Sequence, residues 1–258
     1  MSEEEITWAS NTGGDPRERC TPVHFEHAIY YAFLSVYHHA RALAQRKRIL
    51  DAGCGVGFGT HYLAINGATQ VWGIDNAPEA IEYAIEHYQA DNLRYAIADC
   101  IALPMLDGSF HLVFCSNLIE HVAAYTELIR EVVRVLVPGG VFFVATPPVA
   151  SRGESPHPHH VTNFPPQEWE EILAQHFSSL QLFKLHTNYD NWFKESLDTW
   201  EKGALHLSQA LPRRVKSFVY RRILNPCNVR ENDFLLTRAD PENLAEADVV
   251  SVVMICWK

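Results

Sequence analysis

Export and membrane signals are missing from this chain. It opens Met-Ser-Glu-Glu-Glu, which has neither the positive start nor the apolar core of a secretory leader. No window approaches the roughly 18 consecutive apolar residues of a membrane span. Basic side chains are scarce: 21 Lys and Arg stand against 31 Asp and Glu, for a formal net charge of −10. That balance opposes a polyanionic nucleic acid unless a local basic patch overrides it. Paired cysteines are absent as well. The six thiols fall at positions 20, 54, 100, 115, 227 and 256 with no C-x-x-C among them, so a reduced, cytoplasmic compartment is expected. What is present is ordinary for a globular protein, with 47% hydrophobic and 20% charged residues over 258 positions. That length allows one α/β domain with insertions.

The most informative run is Ile49-Leu-Asp-Ala-Gly-Cys-Gly-Val-Gly-Phe-Gly59. It reads as a buried strand that ends in a glycine-packed turn, and His61 to Ile65 then resume a helical pattern. Gly53, Gly55 and Gly57 strip side chains from the turn, so a ligand can approach bare backbone beside a helix N-terminus. The dinucleotide fingerprint G-x-G-x-x-G needs its third glycine at position 58 or 60, where Phe58 and Thr60 stand. Nicotinamide binding is thereby disfavoured. Further strands follow in order: Gln70 to Asp75, ending in a carboxylate that can accept from both hydroxyls of a ribose, then Asn92 to Asp99, Ser109 to Asn117, and Val141 to Thr146 after the turn Val137-Pro-Gly-Gly140. Alternation of strand and helix implies a parallel sheet with its ligand outside the carboxyl strand ends.

The spacing D-x-G-x-G-x-G led by Asp51, with the acidic strand ends that follow it, resembles the class I S-adenosylmethionine-dependent methyltransferases over Arg48 to Thr146. The resemblance implies a Rossmann-like, doubly wound, seven-stranded and mostly parallel sheet whose last strand is antiparallel. It also implies S-adenosyl-L-methionine as cofactor and S-adenosyl-L-homocysteine as product. In that family the residue matching Asp75 holds the ribose hydroxyls, the one matching Asp99 holds the adenine amino group, and the glycines pass under the methionine portion. Asp51, Gly53, Gly55, Gly57, Asp75, Asn76, Asp99, Cys100 and Asn117 form the candidate cofactor set. Segments His24 to Phe33, His159 to Phe177 and Asp248 to Val253 are similar to methyltransferases of glycan and cell-surface polysaccharide biosynthesis. The acceptor implied is a hydroxyl of a sugar or other small polar molecule. A hydrophobic acceptor such as a quinone or natural product is the alternative, and a non-catalytic cofactor-binding interaction protein the rival of another class.

The rest of the chain organises around that core as one domain. Residues 1–20 read as a mobile start, 21–47 as a helical prefix begun by Thr21-Pro22, 48–185 as the core, 186–248 as an insertion, and 249–258 as the last strand. Helices are expected over Ala77 to Gln89, Glu120 to Leu136 and Gln167 to His176, with a strand from Leu180 to Leu185. The insertion, with Trp192, Phe193, Leu197, Trp200, Leu205 and Leu207, reads as helical, either a lid over the acceptor or a stabilising or dimerising appendage. Arg213, Arg214, Lys216, Arg221 and Arg222 form either a solvated helix face or a contact for phosphate or an anionic membrane surface.

A hydroxyl nucleophile gains from a general base, and His is the side chain poised near neutral pH. His121 sits just past the fourth strand, while His159 and His160 lie after the fifth, on the same sheet edge. These three are the catalytic candidates. His157, His159 and His160 offer no carboxylate or thiolate at ligand spacing, so no metal is expected.

Overall fold

The computed structural model describes residues 27–149, 152, 159–187, 234–239 and 249–258. The first 20 residues, the helices expected of the insertion and the basic stretch Arg213 to Arg222 lie outside the described residues. The described elements run α1 (His27–Ala44), β1 (Arg48–Ala52), α2 (Phe58–Ile65), β2 (Gln70–Asp75), α3 (Pro78–His87), β3 (Leu93–Ile97), β4 (Phe110–Ser116), α4 (Tyr125–Val135), β5 (Leu136–Thr146), α5 (Pro166–Ala174), β6 (Ser179–Thr187), β7 (Phe234–Arg238) and β8 (Val249–Trp257).

All eight strands form one sheet in the order β3-β2-β1-β4-β5-β8-β6-β7. Strands β1 to β5 are parallel, and β8 enters antiparallel between β5 and β6. This is the Rossmann-like methyltransferase fold expected from the sequence, with one strand more. The extra strand is β7, which pairs antiparallel with β6 inside the stretch that reads as a helical insertion. Its residues, Phe-Leu-Leu-Thr-Arg, alternate too briefly to stand out beside the aromatic run that precedes them. Antiparallel pairing to β6 completes it, and the Nε2–H of His39 on α1 donates to the Phe234 carbonyl at 2.9 Å.

Strand alternation divides the core between the two faces. On one side Leu50, Val113, Phe142, Val144, Val252 and Met254 meet Leu128, Ile129 and Val132 of α4 and Trp169 and Leu173 of α5. On the other, Ile49, Phe114, Phe143 and Val253 meet Tyr37 and Ala40 of α1 and Leu63 of α2. The Phe114 ring stacks between Tyr37 and Phe143, with centroids 4.3 and 5.1 Å away. Both faces being covered explains why the central strands read as unbroken apolar runs.

Two expected boundaries move. The helix read from Glu120 is instead a 3-10 turn, Ile119–His121, followed by a break, with α4 starting at Tyr125. The Glu120 carbonyl, which a continuing helix would use, accepts the backbone N–H groups of Val161 and Thr162 at 2.8 and 3.0 Å. The turn expected at Val137 to Gly140 persists as an irregularity inside β5: Phe110 pairs with Leu136, yet Leu112 pairs with Val141, and Gly139 has a φ of 72°.

The order reverses between β1 and β4, which opens the crevice where ligands bind in such sheets. The loop between β3 and β4 is held by Arg134, whose guanidinium donates to the Leu103 and Met105 carbonyls and pairs with Asp107 and Glu131. Removing the buried ring in Phe114→Ala is expected to lower unfolding free energy by about 3–5 kcal/mol in urea titration. A loss below about 1 kcal/mol would contradict the central position given to this ring.

Candidate functional site

Parallel strands deliver their C-terminal ends to one edge, and the candidate residues collect there. Directly after β1, Gly53, Gly55 and Gly57 all take positive φ, at 72°, 52° and 87°. Side chains rarely adopt that conformation. The three glycines do different work. A Cβ at Gly53 would press on Leu118, and one at Gly57 would meet Ala84 and Tyr95 at 2.7 Å, so both mark close packing. A Cβ at Gly55 would meet nothing within 4 Å, so this glycine faces open space. The loop thus presents bare backbone to the crevice at Gly55 while its neighbours fix it to the protein.

Asp75, at the end of β2, holds the loop in this shape. Its Oδ2 accepts the Gly55 N–H at 2.9 Å and its Oδ1 accepts the Ala77 N–H at 3.0 Å. Each carboxylate oxygen keeps a second lone pair, and the side chain is only partly buried, so Asp75 can still receive two hydroxyls. Asn76 beside it is exposed. Past β3, Asp99 is exposed, and its Oδ1 caps the Ile101 N–H at 3.1 Å. Cys100 is half-buried, and burial first, then the Asp99 charge, pushes its thiol up to about 12. It stays protonated. Asn117, past β4, adopts a φ of 50° and donates its N–H to the Ala145 carbonyl at 2.9 Å, which turns the chain across the end of β5.

Asp51 differs from the other candidates. It is fully buried; Thr60 of α2 donates to its Oδ2 at 2.6 Å, and its Oδ1 has no hydrogen-bond partner among the described residues. Burial raises its carboxyl to about 7, opposed by the Thr60 hydrogen bond. The contact ties the end of β1 to α2.

A second group of polar residues gathers where the chain leaves β4 and β5. Glu120 is 2% exposed, and its Oε2 accepts the Thr146 hydroxyl at 3.1 Å. Its Oε1 is buried with no hydrogen-bond partner among the described residues. Burial pushes this carboxyl up to about 8. Residues 159–162 return from the β5 loop and fasten to the same turn through the Val161 and Thr162 N–H groups and through the Thr162 hydroxyl, which donates to the Ile119 carbonyl at 2.6 Å. His121 and His160 are thereby brought together, ring centroids 4.7 Å apart and nearly perpendicular. The His121 Nδ1–H donates to the His159 carbonyl at 3.2 Å. His159 itself is exposed and joins this arrangement through its backbone. The ligand atoms of Glu120, His121 and His160 all lie within 4.8 Å of one another.

Sequence spacing gave little warning of Glu120. It reads there as a helix-start residue that either orients a base or faces solvent, and its burial depends on Thr146 and Thr162, which lie 26 and 42 positions downstream. The argument against a metal also rested on segment 157–160 alone. Folding adds the missing carboxylate from the other loop.

Residues 50–144 match the family described as methyltransferase domain. That stretch contains the glycine loop, Asp75, Asp99, Asn117 and the Glu120-His121 pair. The chain is 38% identical over 115 residues to a ubiquinone biosynthesis O-methyltransferase of Xanthomonas oryzae, covering 43% of this chain and 47% of that protein. It is 32% identical over 104 residues to an Arabidopsis thaliana tocopherol O-methyltransferase, covering 39% and 30%. A Rauvolfia serpentina norajmaline N-methyltransferase is 35% identical over 114 residues, covering 43% and 38%. The matched stretch thus spans less than half the length of these curated relatives. Among solved structures, a Thermotoga maritima S-adenosylmethionine-dependent methyltransferase, described as a possible histamine N-methyltransferase, superposes with a TM-score of 0.58 at 14% identity, over 88% of this chain and 90% of that one. The 4+2 cyclase SpnF gives 0.59 at 17% identity, over 89% and 80%. At these identities the likeness establishes the fold.

The crevice fits S-adenosylmethionine, the donor that this family uses. Gly55 leaves the room, and Asp75 has two free acceptor positions for a ribose.

The buried Asp51 has a consequence for pH. Its unfolded carboxyl titrates near 4, so from about pH 4 to its folded value of about 7 the folded chain holds a proton that the unfolded chain has lost. Stability therefore falls as pH rises through that window and levels off above it. Asp51→Asn is expected to remove up to about 1.4 kcal/mol of this slope per pH unit. Urea titrations of both proteins at several pH values measure the change, and parallel curves would contradict the assignment.

Proposed function

We propose that this chain, built on a class I S-adenosylmethionine-dependent methyltransferase domain, is an enzyme that methylates a hydroxyl of a small polar acceptor. The observation that carries the reading is the pairing of Gly55, bare toward the crevice, with the Asp75 carboxylate that both shapes the loop and retains acceptor positions. The bound donor supplies an activated methyl group: the acceptor oxygen forms a bond to that carbon as the carbon–sulfur bond breaks, and the sulfonium sulfur keeps the electron pair.

The chain's own residues bind, orient and handle the proton. Asp75 receives ribose hydroxyls, and Asp99 with its neighbours Asn76 and Cys100 borders the adenine end. Asn117 turns the chain between donor and acceptor. Glu120, His121 and His160 form the acceptor side, past the ends of β4 and β5. Because the His159 carbonyl only accepts, the His121 proton sits on Nδ1, and Nε2 keeps a lone pair able to take a proton from the acceptor. Alignment of the acceptor with the methyl carbon accounts for much of the rate expected.

A polar acceptor is favoured by the buried Glu120, whose Oε1 a purely apolar molecule would leave unsatisfied. The glycan-related segments of the sequence support a sugar in particular. A second reading is a phenolic or quinone-derived acceptor, which the names of the tocopherol and ubiquinone relatives favour. Both present a hydroxyl to the same imidazoles, and a panel of sugars and hydroquinones with labelled donor separates them. A non-catalytic role predicts bound cofactor with no transfer to any acceptor on that panel. The one-domain layout belongs to this proposal, with residues 186–248 as an insertion before the last strand.

Asp75→Ala is expected to weaken S-adenosylhomocysteine about 10-fold to 100-fold in calorimetry, since hydrogen bonds to a charged group contribute about 1.5–3 kcal/mol. Gly55→Val should do likewise by filling the open space. Unchanged affinity in both would sink the cofactor assignment. Once an acceptor is found, His121→Ala should lower kcat by about 100-fold, within the range for general-base loss, with cofactor affinity kept. Turnover equal to wild type would leave His121 as a structural residue.

A further inference from the structure

We propose that Glu120, His121 and His160 form a binding site for a single divalent transition-metal ion of the zinc class, on the acceptor side of the crevice. Their ligand atoms lie within 4.8 Å of one another. One carboxylate and two imidazoles make a donor set suited to zinc, iron(II), cobalt(II) or nickel(II), and poorly suited to magnesium or calcium, which take oxygen ligands.

Three features besides proximity point to a cation. Glu120 is 2% exposed, and its Oε1 has no hydrogen-bond partner among the described residues, an arrangement that costs free energy unless a further group satisfies it. Its Oε2 is meanwhile fixed by the Thr146 hydroxyl, so the carboxylate is oriented from behind. The His121 ring is held in the same manner: Nδ1–H donates to the His159 carbonyl, which sets the tautomer and leaves Nε2 as the lone-pair atom. Outer hydrogen bonds of this kind, to the nitrogen or oxygen opposite the ligand atom, are the usual support of metal ligands. The backbone bonds from Val161 and Thr162 to the Glu120 carbonyl tie the His160 segment to the turn bearing Glu120 and His121.

Ligand atoms around a tetrahedral zinc stand about 3.3 Å apart, given bonds of about 2.0–2.1 Å. The cluster therefore closes by rotation of the imidazoles on binding. Three protein ligands leave a position open, as in catalytic rather than closed structural sites. With the ion bound, His121 Nε2 is a ligand and no longer the base; an acceptor hydroxyl in the open position would instead lose its proton more readily to water, because the cation stabilises the oxyanion. The inference rests on the methyltransferase reading only for what the cation would act on; binding itself does not depend on it.

The test is titration of the full chain, freed of metal, with cobalt(II) chloride, read by its visible d–d absorption, alongside S-adenosylhomocysteine calorimetry on the same samples. One saturable cobalt site per chain is expected. It should weaken about 100-fold or more in Glu120→Gln and in His160→Ala, beyond the 10-fold to 100-fold typical of lost outer-shell contacts. His159→Ala, which removes an exposed ring and keeps the carbonyl, should bind as wild type does. Retained homocysteine-product binding in each variant shows that the crevice is folded. Wild type that binds S-adenosylhomocysteine but no cobalt overturns the metal site and leaves the methyltransferase reading standing. Cobalt binding unchanged in both ligand variants, or abolished in His159→Ala, overturns this donor set. Cobalt binding without S-adenosylhomocysteine binding supports the metal and defeats the cofactor assignment.

Discussion

The Asp75 carboxylate is the contact on which the cofactor side depends. A loop with left-handed glycines at every second position has no conformational preference strong enough to hold a single shape, because glycine populates both signs of φ with similar ease. Asp75 reaches across from the neighbouring strand and captures the Gly55 N–H, while its other oxygen starts the next helix by accepting from Ala77. One side chain thus couples the turn after β1 to the turn after β2. The parallel pairing of β1 with β2, Asp51 opposite Gly73 and Ala52 opposite Ile74, sets the distance over which it reaches. Asp51 ties the end of β1 to α2 through Thr60, at the cost of a buried carboxyl.

The acceptor side is organised by a different principle. No short run of sequence contains it. The turn after β4 and the return of the loop after β5 are fastened by backbone hydrogen bonds to the Glu120 carbonyl and by the Thr146 and Thr162 hydroxyls. A carboxylate and two imidazoles are held together by these bonds and by that of His121 Nδ1 to the His159 carbonyl. Cofactor and acceptor elements therefore share the sheet edge but not their supports.

This division decides what could be read from the sequence. The cofactor side is local: a strand, a glycine turn and a helix within about twenty residues, then an acidic residue at the next strand end, and each leaves a pattern in composition and spacing. The core sheet was legible for the same reason, since doubly covered strands such as Val141 to Thr146 read as apolar runs. The strand Phe234–Arg238 was not, because five residues at a sheet edge acquire their structure from β6 and from His39 rather than from their own periodicity. Glu120 escaped for a related reason. A glutamate before a helical run is ordinarily exposed, and only contacts across 26 to 42 positions bury it. The expected helix start at Glu120 failed at the residue whose carbonyl and carboxylate are both taken by the β5 loop.

The central claim is that the crevice between β1, β2 and β4 is an S-adenosylmethionine site. Calorimetric titration of the wild-type chain with S-adenosylhomocysteine, with NADH as the control, tests it without knowledge of the acceptor. The account predicts saturable one-to-one binding of the first at micromolar concentration and none of the second. Folded, ligand-free protein that binds neither, or binds NADH instead, would contradict it.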